Sequence, residues 1–215
     1  MKSKQTGQLL IALALLMGTV LACGGGGAEP TPTEIIFQDD FSNSSSGWEV
    51  GNYDDGSVGY KEGAYFVTST RTDFVMWGVA NRSFDNCVIE LDTTQVAAGP
   101  DHDNAYGVVC REQGNGDGYY LRISGDGFYS IAKAEGGVFE ALVDWTESSA
   151  IKKGNATNRL RIECAGSTLA MYVDGRKLEE VQDSTFAAGD IALTATTYEN
   201  NPTEIHFDNL VVSKP

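Results

Sequence analysis

The sequence predicts an all-β protein, built as a sandwich of two antiparallel sheets. Short runs of alternating apolar and polar residues recur along the chain, and clusters of Gly, Asn and Asp separate them. No long stretch keeps a helical period. About a dozen such runs at this spacing are typical of a β-sandwich or barrel.

The clearest pattern covers residues 106–133. Three runs, 106–112, 118–124 and 128–133, are separated by two turns rich in glycine and aspartate. Alternate side chains in the runs are apolar, and the turns have the composition of hairpin connections. This stretch predicts a β-meander with one buried face.

The remaining strands follow from the same alternation. They are predicted at residues 35–41, 63–69, 73–80, 86–94, 138–145, 158–165, 167–173, 176–181, 189–197 and 204–212. The link Asp174-Gly175 predicts a tight hairpin. Residues 42–56 and 99–104 are predicted to be a loop and a turn.

Residues 1–22 have the composition of a bacterial export signal. Lys2 and Lys4 precede an apolar run over residues 9–21, which is too short for a comfortable spanning helix. The sequence LACG at 21–24 resembles the lipobox of bacterial lipoproteins, in which the cysteine becomes the first mature residue and carries diacylglycerol. We therefore expect an exported protein, anchored through lipidated Cys23 to the cell membrane or envelope and facing outward.

The composition changes again after the predicted lipid anchor. Residues 23–34 contain that cysteine and a stretch rich in Gly and Pro, which predicts a flexible linker. Residues 35–215 are then the globular domain.

The chain has 15 basic and 30 acidic residues, with a formal net charge of −15. Because nucleic-acid binding needs basic side chains against phosphates, we predict no nucleic-acid partner.

Three cysteines remain besides Cys23: Cys87, Cys110 and Cys164. Their spacing fits no zinc site, whereas export favours a disulfide. All three alternate with core-facing residues. One disulfide and one buried free thiol are expected, and the strand faces alone leave the pairing open.

Five groups of short motifs are spread over residues 37–212. They are DDF at 39–41 with GW at 47–48, YGVVCR at 106–111, NRLR at 158–161, LAMYVDG at 169–175 and FDNLVV at 207–212. Together they resemble the concanavalin A-like lectin/glucanase jelly rolls, in particular the 3-keto-disaccharide hydrolase-like branch found in bacterial surface lipoproteins. The resemblance implies two stacked, curved antiparallel sheets with a concave face that in relatives holds carbohydrate. It also favours a disulfide between Cys110 and Cys164.

The same resemblance raises the question of catalysis. Glucanases of this fold carry Glu, Asp and Glu on one strand as nucleophile, helper and acid/base, and the candidates here are Glu90, Asp92 and Gln95. Retaining hydrolysis needs a carboxyl group that donates a proton, which Gln95 cannot supply. His102 and His206 are not accompanied by a nucleophile elbow. We therefore predict no catalytic residues.

Binding is the favoured function. Trp77, Arg111, Tyr120 and Arg122 alternate opposite the core residues of their strands. If these strands are neighbours, the four side chains line one surface with the aromatic and planar polar groups that bind sugars. Otherwise they only cover the sheet. We expect a non-catalytic module for carbohydrate; a glycoside hydrolase or a structural surface protein are the alternatives.

The resemblance also implies one structural Ca²⁺ where the first and last strands meet. Asp208 has the position of the carboxylate near the chain end, with Asp39 or Asp40 as its partner, since calcium takes oxygen ligands. The alternative is that Asp208 only ends the strand hydrogen bonding.

Overall fold

The computed structural model describes residues 33–215, which form fifteen β-strands. The strands are β1 (Ile35–Asp39), β2 (Gly51–Tyr53), β3 (Gly56–Lys61), β4 (Ala64–Ser69), β5 (Val75–Phe84), β6 (Cys87–Ala97), β7 (Asn104–Glu112), β8 (Gly118–Ile123), β9 (Phe128–Glu135), β10 (Val138–Glu147), β11 (Thr157–Ala165), β12 (Thr168–Val173), β13 (Arg176–Gln182), β14 (Gly189–Thr197) and β15 (Thr203–Ser213). The predicted export signal, Cys23 and most of the predicted linker lie outside the described residues. In the part of the chain described, no helix is long and apolar enough to cross a membrane.

The strands form two antiparallel sheets. The nine-stranded sheet has the order β13-β12-β11-β6-β15-β4-β3-β2, with β1 paired to β15 beside this path. The six-stranded sheet has the order β10-β9-β8-β7-β14-β5. The predicted all-β sandwich of two antiparallel sheets is therefore confirmed, and residues 33–215 form one compact unit with its own core.

Alternation along the strands determines which side chains enter that core. In β6, Ile89 and Leu91 are buried while Glu90 and Asp92 on the other face are partly exposed. The predicted meander is present as β7, β8 and β9. Its apolar positions pack against the nine-stranded sheet, and their removal from water stabilises the sandwich.

One hairpin was not predicted. Residues 42–56 were expected to form a loop, but β2 and β3 pair at the edge of the nine-stranded sheet. Their connection is a tight turn at Asp54-Asp55. The strands are short and glycine-rich, and Val58 supplies their buried aliphatic side chain, so the alternation that identifies a strand is weak.

A disulfide joins the two sheets through the core. It connects Cys110 on β7 with Cys164 on β11, as the resemblance implied. Cys87 is a buried free thiol and lies opposite Cys164 in the β6–β11 pairing. Burial raises the pKa of the Cys87 thiol to about 12, so it stays protonated and unreactive at neutral pH.

The disulfide closes a long loop and is expected to stabilise the domain. A Cys110→Ala/Cys164→Ala double variant of residues 33–215 should lower the free energy of unfolding by about 2–4 kcal/mol in urea titration. Cys87→Ala, which leaves the disulfide intact, is the control and should have the smaller effect. Equal losses in the two variants would contradict a stabilising cross-link between the sheets.

Candidate functional site

The face of the six-stranded sheet that points away from the core, called the outer face below, carries most of the predicted binding residues. Strand pairing places Trp77, Thr194, Gly107 and Arg122 in one row across β5, β14, β7 and β8, and Ser130 of β9 extends it. Trp77 and Arg122 are three strand spacings apart, about 14 Å between their backbones. Only a threonine and a glycine separate them along the row.

The outer face is unusually apolar for a sheet surface. Antiparallel sheets commonly leave one face to water, yet every residue of β7 and β8 is buried. A second hydrophobic cluster covers the outer face, formed by Val109, Tyr120, Ala132, Ala134 and Ala192 with Val75, Trp77 and Val79 packed against it. The two central strands are therefore enclosed on both sides.

Arg122 lies within this apolar cover. Its side chain is only 6% exposed, and the guanidinium carbon is 5.5 Å from the ring centroids of Tyr120, Phe139 and Trp145. Burial lowers the pKa of Arg122, and the neighbouring hydroxyl of Tyr198 opposes that shift. No carboxylate of residues 33–215 forms an ion pair with this guanidinium. The charge is thus held mainly by cation–π contacts.

Three polar atoms on the outer face have no hydrogen-bond partner in the described part of the chain. They are Nε of Arg122, Oγ of Ser130 and Oγ1 of Thr196. Arg122 and Ser130 are directly paired across β8 and β9, and Thr196 lies one row away on β14. Because buried polar atoms in proteins are normally paired, Arg122 and Ser130 mark one place for the polar atoms of a ligand or of ordered water, and Thr196 marks a second.

The loop between β7 and β8 folds onto the outer face. The Tyr120 hydroxyl donates to the carbonyl oxygen of Gly116 at 2.7 Å. The Trp77 ring packs against the same glycine, so a Cβ there would lie 3.0 Å from the indole. Gly116 also has φ +87°, a conformation that favours glycine. The loop therefore holds Trp77 and Tyr120 in their orientations.

Two clefts open beside this cover. The first, the Trp77 cleft, has a volume of about 830 Å³ and combines the rings of Tyr53, Phe74 and Trp77 with the carboxylates of Glu112 and Asp190. Trp77 is only half-buried. The cleft thus offers an aromatic surface and hydrogen-bond acceptors to a ligand.

The second, the Tyr198 cleft, has a volume of about 480 Å³. Its lining combines three rings, two small polar side chains and three carboxylates: Phe128, Trp145, Tyr198, Asn104, Ser124, Asp73, Asp103 and Asp126. Burial and the nearby charge of Asp126 and Glu199 raise the pKa of Asp103. Trp145 and Tyr198 of this lining both adjoin Arg122, whose guanidinium therefore lies behind these two rings.

Three of the four predicted binding residues, Trp77, Tyr120 and Arg122, lie on the outer face. Arg111 does not, and its predicted place is wrong. Its φ of +56° interrupts the alternation after Cys110, and the side chain, 2% exposed, turns to the edge of the sandwich. There it donates to three backbone carbonyl oxygens, those of Asp85 at 3.1 Å, Gly166 at 2.9 Å and Phe186 at 2.7 Å.

Several residues of this face were missed from the sequence. They are Ser130, Phe139, Thr196 and Tyr198, together with Trp145, which is 39% exposed. Phe139 and Trp145 share β10, whose pairing with β9 shifts between Ala141 and Val143 and again before Thr146. The two shifts offset each other, so Phe139 and Trp145, six residues apart, both face outward, while Val143 between them packs against the core and breaks the alternation.

The three glucanase-like candidates, Glu90, Asp92 and Gln95, do not lie together in one site. Glu90 and Asp92 lie on the exposed face of the nine-stranded sheet, where Arg161 and Arg159 pair with them at 4.0 Å and 3.3 Å. Gln95 is buried on the opposite side of β6. Its amide is bound to three polar side chains, those of His102, Asn155 and Asn104.

The predicted calcium ligands Asp39, Asp40 and Asp208 do not converge on one metal position. The two carboxylate oxygens of Asp39 accept bonds from the backbone N–H of Phe41 at 2.8 Å and the indole N–H of Trp48 at 3.1 Å. Asp40 accepts from the backbone N–H and hydroxyl of Ser42. Within residues 33–215 no three carboxylate, imidazole or thiol side chains converge on a metal position. Calcium at Asp39, Asp40 and Asp208 stays a sequence-based prediction.

Comparison with known proteins places the fold. No family model and no curated protein matches the sequence. The carbohydrate binding module CBM66 from Bacillus subtilis is similar in structure, with a TM-score of 0.63, 19% identity and coverage of 79% of this chain and 96% of the module. The β-glucanase of Bacillus licheniformis has a TM-score of 0.61, 13% identity and coverage of 87% and 100%. A protein of unknown function with a galectin-like fold from Bacillus subtilis has a TM-score of 0.60, 11% identity and coverage of 84% and 96%.

These likenesses establish the fold. The domain is a concanavalin A-like jelly roll, as the motifs implied. Proteins of this fold include both a carbohydrate binding module and glycanases.

The contacts of Arg111 predict a structural role. Arg111→Met should lower the free energy of unfolding of residues 33–215 by about 3 kcal/mol, because three carbonyl oxygens lose a charged donor. Chemical denaturation measures this loss. Unchanged stability would contradict the assignment and return Arg111 to the candidate ligand-binding residues.

Proposed function

We propose that the protein is a lipid-anchored, non-catalytic binding module for carbohydrate, and that its binding surface is the outer face of the six-stranded sheet. One observation carries the proposal: the unpartnered polar atoms of Arg122 and Ser130 belong to paired residues among aromatic side chains, and Thr196 adds a third such atom on the same face. A soluble domain gains nothing in stability from buried polar atoms that lack partners. A ligand that supplies those partners explains the arrangement.

Sugars match the chemistry of this surface. A pyranose ring has apolar faces that stack on aromatic rings and hydroxyl groups that need hydrogen-bond partners. The half-buried Trp77 and the partly exposed Trp145 offer rings at the two clefts. Asp103 and Asp126 offer carboxylate groups beside Trp145.

The solved structures support the same class of ligand. The similar proteins include one named as a carbohydrate binding module and one named as a β-glucanase, and each is covered almost completely by the likeness. The identities are below 20%, so the support lies in the shared fold and not in shared site residues.

The dispersal of the glucanase-like residues favours binding over hydrolysis. Glu90 and Asp92 are on the other sheet from the outer face and are held by arginines, while Gln95 belongs to a buried amide network. None of the three reaches the proposed surface.

Anchoring at Cys23 fits the position of the domain's first strand. β1 pairs with β15 in the nine-stranded sheet, so the linker joins the domain on the sheet opposite the binding surface. Lipidation by more than one acyl chain gives stable attachment. A linker rich in Gly and Pro would then tether the domain to the membrane.

A glycan array on residues 33–215 tests the proposal. We expect specific binding that Trp77→Ala or Trp145→Ala weakens at least about tenfold, the effect of losing about 1.4 kcal/mol of ring contact. Tyr172→Ala is the matched control, since Tyr172 is also a ring beside an arginine, Arg161, but on the other sheet. Silence of the folded domain, or equal losses in all three variants, would refute the proposed surface.

A second candidate function is glycoside hydrolysis in the Trp77 cleft. Glu112 and Asp190 occupy paired positions on β7 and β14 and both line that cleft. Side chains at paired positions start about 5 Å apart, and retaining hydrolysis uses two carboxyl groups about 5 Å apart. Burial raises the pKa of Asp190, as a proton donor requires. The backbone N–H groups of Gly114 and Gly116 hold Glu112 in place at 2.8 Å each.

Incubation of the bound glycan with the domain separates the two functions. The non-catalytic proposal predicts no release of reducing ends over many hours, in the parent chain and in Asp190→Asn alike. Release that Asp190→Asn abolishes while binding persists would establish the hydrolase instead.

A further inference from the structure

We propose that the bound glycan carries a carboxylate group, as uronic and sialic acids do, and that Arg122 binds this carboxylate. The inference rests on the proposed function and names its class of ligand. A neutral glycan would satisfy the aromatic surface equally well, so the distinction depends on Arg122.

The first argument is that the buried guanidinium of Arg122 has no carboxylate in the described part of the chain to balance its charge. Transfer of a guanidinium from water into an apolar site is unfavourable unless a negative group or several hydrogen bonds replace the water. Arg122 is buried among three rings, and within residues 33–215 it has no carboxylate partner. Cation–π contacts compensate for part of the lost hydration. A ligand carboxylate would complete the compensation.

Arg111 shows what a structural arginine looks like in the same domain. It is as deeply buried as Arg122, but its guanidinium donates to three backbone carbonyl oxygens and to the side chain of Asn86. Arg122 has Nε unpartnered instead. The contrast indicates that the Arg122 site is built for a group that the protein itself does not supply.

The second step is the set of donors around the guanidinium. Arginine binds a carboxylate best in a two-pronged arrangement, with neighbouring N–H groups directed at the two oxygens. The hydroxyls of Ser130 and Thr196 are unpartnered and lie on the same face, Ser130 directly beside Arg122. Ser130 can donate to the oxyanion that Arg122 binds, whereas Thr196, three strand spacings from Ser130, can donate only to another group of the ligand. The unpartnered groups beside Arg122, its own Nε–H and the Ser130 hydroxyl, are thus hydrogen-bond donors that an anionic ligand group could accept from.

The third step is the route for the ligand. Trp145 and Tyr198 flank Arg122 and line the Tyr198 cleft, with their ring centroids 6.4 Å apart. A sugar ring lying in this cleft against Trp145 would direct a substituent at the guanidinium. The same ring would place its hydroxyl groups near Asp103 and Asp126.

The carboxylates of the cleft narrow the class of ligand further. Asp73, Asp103 and Asp126 line it, and the negative charge of their surroundings helps to raise the pKa of Asp103. These groups accept hydrogen bonds from sugar hydroxyls but repel anionic groups, so only a carboxylate that pairs with Arg122 is compensated. The site therefore favours a sugar with one carboxylate and free hydroxyls over a densely sulfated chain.

Calorimetry with matched acid and ester sugars tests the inference. The probes are oligosaccharides containing galacturonate, glucuronate, mannuronate or sialate, each beside its methyl ester, with heparin as the densely sulfated chain. Residues 33–215 should bind at least one acid ten or more times tighter than its ester and should not bind heparin more tightly than that acid. Arg122→Met should remove the difference between acid and ester, and Ser130→Ala should reduce it.

A stability measurement excludes a purely structural role for Arg122. If the charge awaits a ligand, Arg122→Met leaves the melting temperature of the free domain unchanged or raises it. A large fall, like that expected for Arg111→Met, would overturn the inference. Should Arg122→Met fail to fold, Arg122→Lys gives the second readout, because it keeps the charge but loses the two-pronged geometry and should weaken acid binding.

The outcomes separate the two proposals. Equal binding of acid and ester, or an acid preference that persists in Arg122→Met, overturns the carboxylate inference and leaves carbohydrate binding intact. The absence of binding to any acid or neutral glycan by the folded domain overturns both.

Discussion

Burial of β7 and β8 on both faces is the constraint on which the rest of the structure depends. On the inner face, alternate side chains of these strands pack against the nine-stranded sheet, and the Cys110–Cys164 bond fixes one sheet to the other. On the outer face no second sheet is available. The domain covers that surface with aromatic side chains from its own flanking strands, chiefly Trp77 of β5 and Phe139 and Trp145 of β10.

This cover differs from a hydrophobic core in one respect. Cores are packed so that buried polar atoms find partners. Five buried side-chain atoms of residues 33–215 lack them, and three of the five, including a guanidinium nitrogen, are on the outer face; the other two belong to Tyr106 in the core and Thr203 on β15. The inner face satisfies the folding requirement of the sandwich. The outer face combines rigid positions, fixed by the sheet and by the loop at Gly116, with unused hydrogen-bonding capacity, which is the combination that a binding site needs.

Much of the fold could be predicted from the sequence because alternation is a local property. The core positions of the meander and the two-sheet class follow from it directly. The β2–β3 hairpin was not predicted because its strands are short and rich in glycine, so apolar and polar residues hardly alternate in them. The pairing of Cys110 with Cys164 required the resemblance, since three cysteines face the core and only the order of strands decides which two meet.

The site was less predictable, for geometric reasons. Trp77, Tyr120 and Arg122 could be assigned to one face because their strands keep a regular register. Arg111 could not, because one residue with positive φ redirects its side chain. Phe139 and Trp145 lie on either side of two register shifts in β10 that turn Val143 toward the core and hide the alternation, and Tyr198 reaches Arg122 from the segment after β14, where no strand alternates.

The most direct test of this account is to locate the bound ligand by NMR. Backbone amide and arginine Nε–H signals of ¹⁵N-labelled residues 33–215 would be followed during titration with the tightest-binding glycan. The account predicts shifts confined to the outer face of the six-stranded sheet, including Trp77, Trp145 and the Nε–H of Arg122. Shifts on the nine-stranded sheet around Glu90, Asp92 and Tyr172, with the Arg122 signal unmoved, would contradict it.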